Sequence, residues 1–209
     1  MIFEQVRITG DRNFAYIIGD EDSRAAALVD PGSDAERLVA RLRELGLRLE
    51  YILNTHGHVD HTGANGPVQS LTGARIAAFG RGDLPLAHGD ILALGDLEIQ
   101  VLHTPGHTDE SVCFLCQGKL VTGDTLFVGK IGGTSGEEAA RREHDSLHRV
   151  IGALPRDTEV WPGHDYGLRP SSTLAEEFRT NPFLLRDSFE GFLDLKANWT
   201  EYKRRHGIA

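Results

Sequence analysis

Tyr51-Ile52-Leu53-Asn54-Thr55-His56-Gly57-His58-Val59-Asp60-His61 runs from a short apolar segment straight into three histidines and an aspartate. Tyr51–Leu53 reads as a strand, so the polar cluster sits at a strand end. Imidazoles and a carboxylate packed this closely desolvate and repel one another unless a cation orders them. Mixed nitrogen and oxygen donors suit zinc, iron or manganese, and the absence of cysteine from the cluster argues against a structural thiolate finger. Continued as a loop, the segment would point His56 and His58 one way and Asp60 and His61 another, so that one stretch serves two metal positions. A solvated, histidine-rich loop is the bland alternative, and tight spacing at an apolar strand end disfavours it.

Working outward, the same arrangement recurs three times. His107 follows the run ending Val101-Leu102-His103 through Thr104-Pro105-Gly106; Asp124 follows Leu120-Val121-Thr122-Gly123; His164 follows Val160-Trp161-Pro162-Gly163. Each candidate comes after an apolar run and a glycine-containing turn, which would present all of them at one rim of a sheet. Gly57, Gly106, Gly123 and Gly163 are expected to let the backbone bend beside each donor. His56, His58 and His107 would give one metal three nitrogens, while Asp60, His61 and His164 would give a second metal two nitrogens and a carboxylate. Asp124 could bridge them. Both positions would stay open, which marks a catalytic rather than a structural site. His103 is expected to play a core or supporting role, and His88, His144, His148 and His206 to lie on the surface. Thr55, Thr108 and Asp165 are candidates to hydrogen-bond the ligand imidazoles.

The rest of the chain supplies a layered frame. Strand patterns at Phe14–Ile18, Ala25–Val29, Tyr51–Leu53, Arg75–Phe79, Ile91–His103 (two strands about Gly95-Asp96), Val112–Leu115, Lys119–Val121 and Glu159–Trp161 interleave with helical patterns at 34–45, 64–71 and 137–154. Ser33 or Asp34 is the expected N-cap of the first helix. That alternation favours an α/β or α+β layered architecture. Residues 1–170 are expected to form the main domain and 171–209 a helical extension packed on it, broken at Asn181-Pro182. Phe189, Phe192, Leu193, Leu195 and Trp199 are expected to cover the core rather than meet a second subunit, compatible with a monomer or a homodimer.

With 209 residues and a net charge of -9, the chain is large enough for one sizeable core and ill suited to nucleic acid or an anionic membrane. A small anionic substrate stays possible, because bound cations dominate the field at a metal site. Cys113 and Cys116 fall on opposite faces of one strand and read as reduced, buried thiols rather than a redox pair. The N-terminal residues lack the basic and apolar regions of a signal peptide, and no run reaches membrane-spanning length, so a cytoplasmic location is expected.

Thr55–His61, Pro105-Gly-His-Thr108, Gly123-Asp-Thr125 and Pro162-Gly-His-Asp165 resemble, in order and spacing, the motifs of the metallo-β-lactamase superfamily. The resemblance covers about Phe14 to His164 and implies a four-layer αββα sandwich with metals at one edge of two facing sheets. Within the superfamily the chain is most similar to glyoxalase II-like thioester hydrolases and the related persulfide dioxygenases. Gly123–Val128, Ser172–Phe178 and Asn181-Pro-Phe183 resemble the former. The implied activity is hydrolysis of S-lactoylglutathione or a related acyl thioester by metal-activated water, using two divalent ions, zinc or else iron or manganese, with Asp60 and Asp124 as catalytic carboxylates. The alternative is a single iron held by His56, His107 and Asp124, oxidising glutathione persulfide to sulfite. Where glutathione-specific hydrolases carry lysine and tyrosine, this chain has Gly133 and Ser135, and Gly133 also replaces the arginine of the dioxygenases. Lys130 and Tyr166 are the remaining candidates for substrate contact.

Overall fold

Phe14–Ile18 and Ala25–Val29 are apolar at every position, the composition of strands covered on both faces. In the computed structural model, which describes residues 1–207, they are fully buried. The first half of the chain runs β1 (Ile2–Arg7), β2 (Phe14–Gly19), β3 (Ala25–Val29), α1 (Ala35–Glu44), β4 (Arg48–Leu53), α2 (Val59–Thr62), α3 (Asn65–Thr72), β5 (Arg75–Phe79), β6 (Arg81–Gly82) and β7 (Leu84–Leu86). The second half runs β8 (Ile91–Leu94), β9 (Leu97–His103), β10 (Val112–Cys116), β11 (Lys119–Gly123), the hairpin β12 (Leu126–Phe127) and β13 (Lys130–Ile131), α4 (Gly136–Asp145), β14 (Glu159–Pro162), β15 (Ser172–Thr173), α5 (Leu174–Thr180), α6 (Phe189–Ala197) and α7 (Trp199–His206).

Two six-stranded sheets result, ordered β1-β2-β3-β4-β5-β7 and β15-β14-β11-β10-β9-β8. Side-chain parity divides each strand between two cores. Phe14, Tyr16 and Ile18 meet Ile99, Val101, Phe114 and Val121 between the sheets. Ala15 and Ile17 face outward onto Leu38 and Leu42 of α1 and Val68 of α3. Leu102, Cys113, Leu120 and Val160 face the other way, onto α4 and the tail. These are the four layers of an αββα sandwich. Cys113 and Cys116 do lie in different cores and are both free thiols.

The helices follow local chemistry. Glu36 in the first turn of α1 and Arg41 and Arg43 in the last complement its dipole. Asp34 takes the N-cap position, but at φ +57 its carboxylate serves Thr9 instead of the first-turn amides. The stretch expected to be one helix over 137–154 divides into α4, a π-helical turn at Ser146–Val150 and a 3-10 turn at Ile151–Ala153. The widened turn begins at Ser146, whose hydroxyl donates to the Pro105 carbonyl. In the tail, Thr173 and Ser188 cap α5 and α6, and Leu174, Phe183, Phe189, Phe192 and Leu195 join the outer core of the second sheet. Residues 208 and 209 of the expected extension lie outside the described residues. His144 and His148 are half-buried against Phe192 and Phe178, correcting the surface expectation: the tail helices cover them. His103 plays a supporting part, stacking on Phe79 and hydrogen-bonding the Asp109 carbonyl. Among the described residues, no helix is long and apolar enough to cross a membrane.

Candidate metal centre

The chain ends of β4, β9, β11 and β14 open at one edge of the two sheets, and every candidate donor leaves from one of them. Parallel pairing of β11 with β14 sets Gly123 opposite Pro162, bringing Asp124 beside His164. Val112 N donates to Thr55 O and ties the His56 segment of the first sheet to the second. Asp60 and His61 ride on the helical turn α2 rather than on the expected loop, with His61 N bonded back to His58 O. The turn does not separate the segment cleanly: His56 groups with His58 and His107, Asp60 and His61 group with His164, and the His56 and His61 rings also lie 4.1 Å apart, forming a third group with Asp124.

All seven candidate donors converge. His58 Nδ1 lies 3.0 Å from His56 Nε2 and 3.1 Å from His107 Nε2. His164 Nε2 lies 3.2 Å from His61 Nε2 and 3.4 Å from Asp60 Oδ2. Between the two groups, Asp124 Oδ1 is 3.3 Å from His61 Nε2 and 3.4 Å from His164 Nε2, while its Oδ2 is 3.6 Å from His107 Nε2. Donors about 2.0–2.1 Å from a tetrahedral ion sit about 3.3–3.4 Å from each other, and about 2.9 Å apart at right angles. The observed spacings fall in or close to that range.

The far side of each ring decides what the near side offers. His107 Nδ1 donates to Gly133 O (2.7 Å) and His164 Nδ1 to Asp11 O (2.8 Å), since carbonyls only accept. His61 Nδ1 donates to Asp30 Oδ2 (2.9 Å). The Thr55 hydroxyl donates to Asp30 Oδ2 (2.6 Å) and so accepts from His56 Nδ1 (3.1 Å). In the neutral form of the rings, four Nε2 lone pairs therefore face the space between the groups, and a cation can take the place of the protons that otherwise hold them together. Asp124 Oδ1 is buried with no hydrogen-bond partner among the described residues, a further sign that the donor set fits a metal.

Electrostatics polarise the cluster. Burial and the neighbouring His61 push His56 down to about 2. Burial alone would lower His61, but Asp30 and Asp124 hold it up at about 10. Burial alone would raise Asp124, yet His164 and His61 keep its carboxyl well below the usual range. Burial also opposes the lowered Asp60, which Asn13 and His61 stabilise as a carboxylate, Asn13 Nδ2 donating at 3.0 Å. Such spread among adjacent groups is characteristic of functional sites.

Some supporting residues differ from expectation. Thr55 reaches an imidazole, but Thr108 bonds Ser111 and Asp165 pairs with Arg7. The partners that aim the rings are Asp30 and the carbonyls of Asp11 and Gly133, while Asn13 aims the Asp60 carboxylate. Asp30 had a signal, Asp-Pro-Gly at a strand end, that also reads as an ordinary turn; backbone carbonyls carry none. Gly106 and Gly123 have positive φ as expected of bending positions. Gly163 is instead required for space, whereas a Cβ on Gly57 would meet only the movable guanidinium of Arg81. A Cβ on Gly163 would stand 2.6 Å from Asp124 Oδ1 and 2.8 Å from His61 Cε1. Tyr166 stacks on His164 at 4.6 Å and donates to Asp11 Oδ2, and Lys130 Nζ lies 5.8 Å from its ring, so both candidate substrate contacts border the second donor group.

Sheet order, donor geometry and sequence comparison agree on the class: residues 8–90 match the metallo-beta-lactamase superfamily, and the chain belongs to that metal-binding family of enzymes. It is 35% identical over 206 residues to human mitochondrial persulfide dioxygenase ETHE1, spanning 94% of this chain and 79% of that protein. It is likewise 35% identical over 226 residues to hydroxyacylglutathione hydrolase of Anaeromyxobacter dehalogenans, spanning 90% and 87%. The crystal structure of ETHE1 from Myxococcus xanthus superposes with a TM-score of 0.89 at 38% identity, covering 95% of this chain and 91% of that one. Hydrolases and a dioxygenase thus stand side by side among its relatives.

Proposed function

We propose that the chain is a metal-dependent hydrolase cleaving the thioester of a small acyl thiol, hydroxyacylglutathione or a compound like it. The second donor group supports a two-ion centre, and Gly133, where the dioxygenases carry arginine, favours the hydrolase, since Asp60, His61 and His164 are common to both groups of relatives. Asp60, His61 and His164 converge as closely as the first group, and Asp30 and the Asp11 carbonyl aim two of them. In this reading His56, His58 and His107 would hold one divalent ion and Asp60, His61 and His164 another, with Asp124 shared between the two positions. Zinc suits these donors, as do iron and manganese. The ions supply Lewis acidity and bring the pKa of a water near neutrality.

The chain's own groups do the rest. Asp60, its Oδ2 fixed by Asn13 and its side chain 41% exposed, is placed to orient the water and accept its proton. Asp124, buried and ionised, is confined to holding the two halves together. The thiolate product leaves without a strong acid. Arg12, whose guanidinium carbon is 4.8 Å from the Tyr166 ring and which pairs loosely with Asp11 (3.9 Å), and Lys130 place two cations against one carboxylate beside the centre in a chain of net charge -9. That excess favours a thiol portion bearing carboxylate, taking over from the absent side-chain contacts at Gly133 and Ser135.

A second reading is favoured by the likeness to ETHE1: a persulfide dioxygenase with one iron on His56, His107 and Asp124, a two-histidine, one-carboxylate set. Gly133, where those enzymes carry arginine, weighs against it. Protein purified without added metal is to be analysed for metal content, then assayed for S-lactoylglutathione hydrolysis and for oxygen consumption with glutathione persulfide. Two ions per chain with thioester turnover is the expected result. One iron per chain with oxygen uptake would replace this reading by the second.

A further inference from the structure

His107 is gripped from its Nδ1 side by two segments distant in sequence. Gly133 O accepts its Nδ1 proton, and Gly132 lies so close that an added Cβ would collide with the Asp124 carbonyl and stand 3.0 Å from His107 Nδ1. On the other flank, α4 presses on Pro105-Gly106: a Cβ on Gly106 would collide with Glu143, and Ser146 Oγ donates to Pro105 O at 2.7 Å. One side chain joins the two flanks. Lys196 of α6 donates to Gly132 O (3.3 Å) and to Glu143 Oε2 (2.5 Å). The Glu143 carboxylate is 1% exposed and the Lys196 side chain 15%.

Stability alone gives no reason for this pair, because well-packed apolar residues of similar volume serve a protein interior as well as a buried ion pair does. What an apolar pair would lose is the hydrogen bond to Gly132 O. The segment so held is the one touching both His107 and Asp124. A ring is closed: α6 through Lys196 to Gly132-Gly133, through His107 to Gly106, through Glu143 back to Lys196.

We propose that Lys196 and Glu143 are a positioning pair that couples the C-terminal helix α6 to the metal centre by fixing Gly132-Gly133 against His107. The inference rests on the ligand assignment above, since it requires His107 to hold a metal. The pair acts through the backbone of Gly132 and Gly133 rather than as a ligand, and its effect is on how tightly the His56/His58/His107 position binds its ion.

The test is competitive titration of the chelator-stripped, full-length protein with cobalt(II) and with zinc, resolving the two positions by their cobalt spectra. Partners of this kind typically change metal affinity by about 10–100-fold. Lys196→Met is expected to weaken the His107 position by that factor and the Asp60/His61/His164 position by less than about 2-fold. Lys196→Arg is expected to restore much of the loss. Lys119→Met, which breaks the 2.6 Å pair with Glu159 away from the centre, is the control and should leave both affinities unchanged. If Lys196→Met does not fold, Glu143→Gln, of equal size, is read in its place. Unchanged affinities in a folded Lys196→Met or Glu143→Gln protein would overturn the proposal and leave the pair a packing contact. Failure of the ligand assignment looks different: the wild-type position would then be insensitive to His107→Ala.

Discussion

Replacing Asp30 by asparagine changes few atoms and reverses what His61 offers to a metal. The Asp30 carboxylate is 1% exposed and accepts three hydrogen bonds: Thr55 N at 2.8 Å on Oδ1, and the Thr55 hydroxyl at 2.6 Å and His61 Nδ1 at 2.9 Å on Oδ2. Asparagine must keep its oxygen toward Thr55 N, because an NH2 group there would face an N–H. Its NH2 then points at His61 Nδ1 and forces that nitrogen to accept. The ring proton moves to Nε2, the atom that lies 3.2 Å from His164 Nε2, and the lone pair needed for a ligand is gone. Two charge-assisted bonds are lost or inverted, at about 1.5–3 kcal/mol each, so folding stability should fall by about 3–6 kcal/mol. Metal affinity at the Asp60/His61/His164 position should fall by about 10–100-fold, or about 1.4–2.7 kcal/mol, with the other position little changed. Isothermal titration of the stripped protein, with denaturant unfolding in parallel, reads both quantities. If Asp30→Asn binds two ions as tightly as the wild type, the orientation argument for the second donor group is wrong.

Further outcomes follow from the same geometry. Asp124→Ala should lower metal occupancy at both positions and abolish turnover, whereas full occupancy would refute its bridging role. Gly163→Ala should leave the protein folded but metal-poor, since its Cβ would press on Asp124 Oδ1 and His61, and elemental analysis of the purified variant decides this. Arg12→Ala combined with Lys130→Met should raise KM for a carboxylate-bearing thioester about 10-fold while leaving a neutral acyl thioester unaffected; an equal rise for both contradicts anion recognition. Burial raises the Glu143 carboxyl from 4.5 to about 7, even with Lys196 opposing the shift. Stability tied to a raised acid is full below pH 4.5 and lost as the pH climbs through about 7, a swing of up to about 3 kcal/mol. Unfolding free energies of metal-free wild type and Glu143→Gln should therefore shift in the variant's favour over that window, and parallel pH curves would contradict it.

The candidate donors were legible because each is a chemically distinctive side chain at the end of an apolar run, and the parallel pairing of β11 with β14 then brings distant turns together. β2, β3 and β10 were equally legible, being apolar along their length. β1 was not, because Ile2, Phe3 and Val6 are mixed with Glu4, Gln5 and Arg7 and only half-buried at the edge of the first sheet. The two-residue strands β6, β12, β13 and β15 are defined by their neighbours, not by local pattern. α2 was hidden by its own function: Val59-Asp-His-Thr62 has no helical periodicity, and His58 precedes it without a side-chain cap. The groups that orient the rings were hardest to find, since two are backbone carbonyls and Asp30 reads as a turn residue until the fold brings it to His61.

Anomalous scattering from crystals grown without added metal tests the two-ion account most directly. Two peaks per chain are expected, one among His56, His58 and His107 and one among Asp60, His61 and His164, with Asp124 between them. A single iron peak on His56, His107 and Asp124, with the second donor group empty, would contradict it.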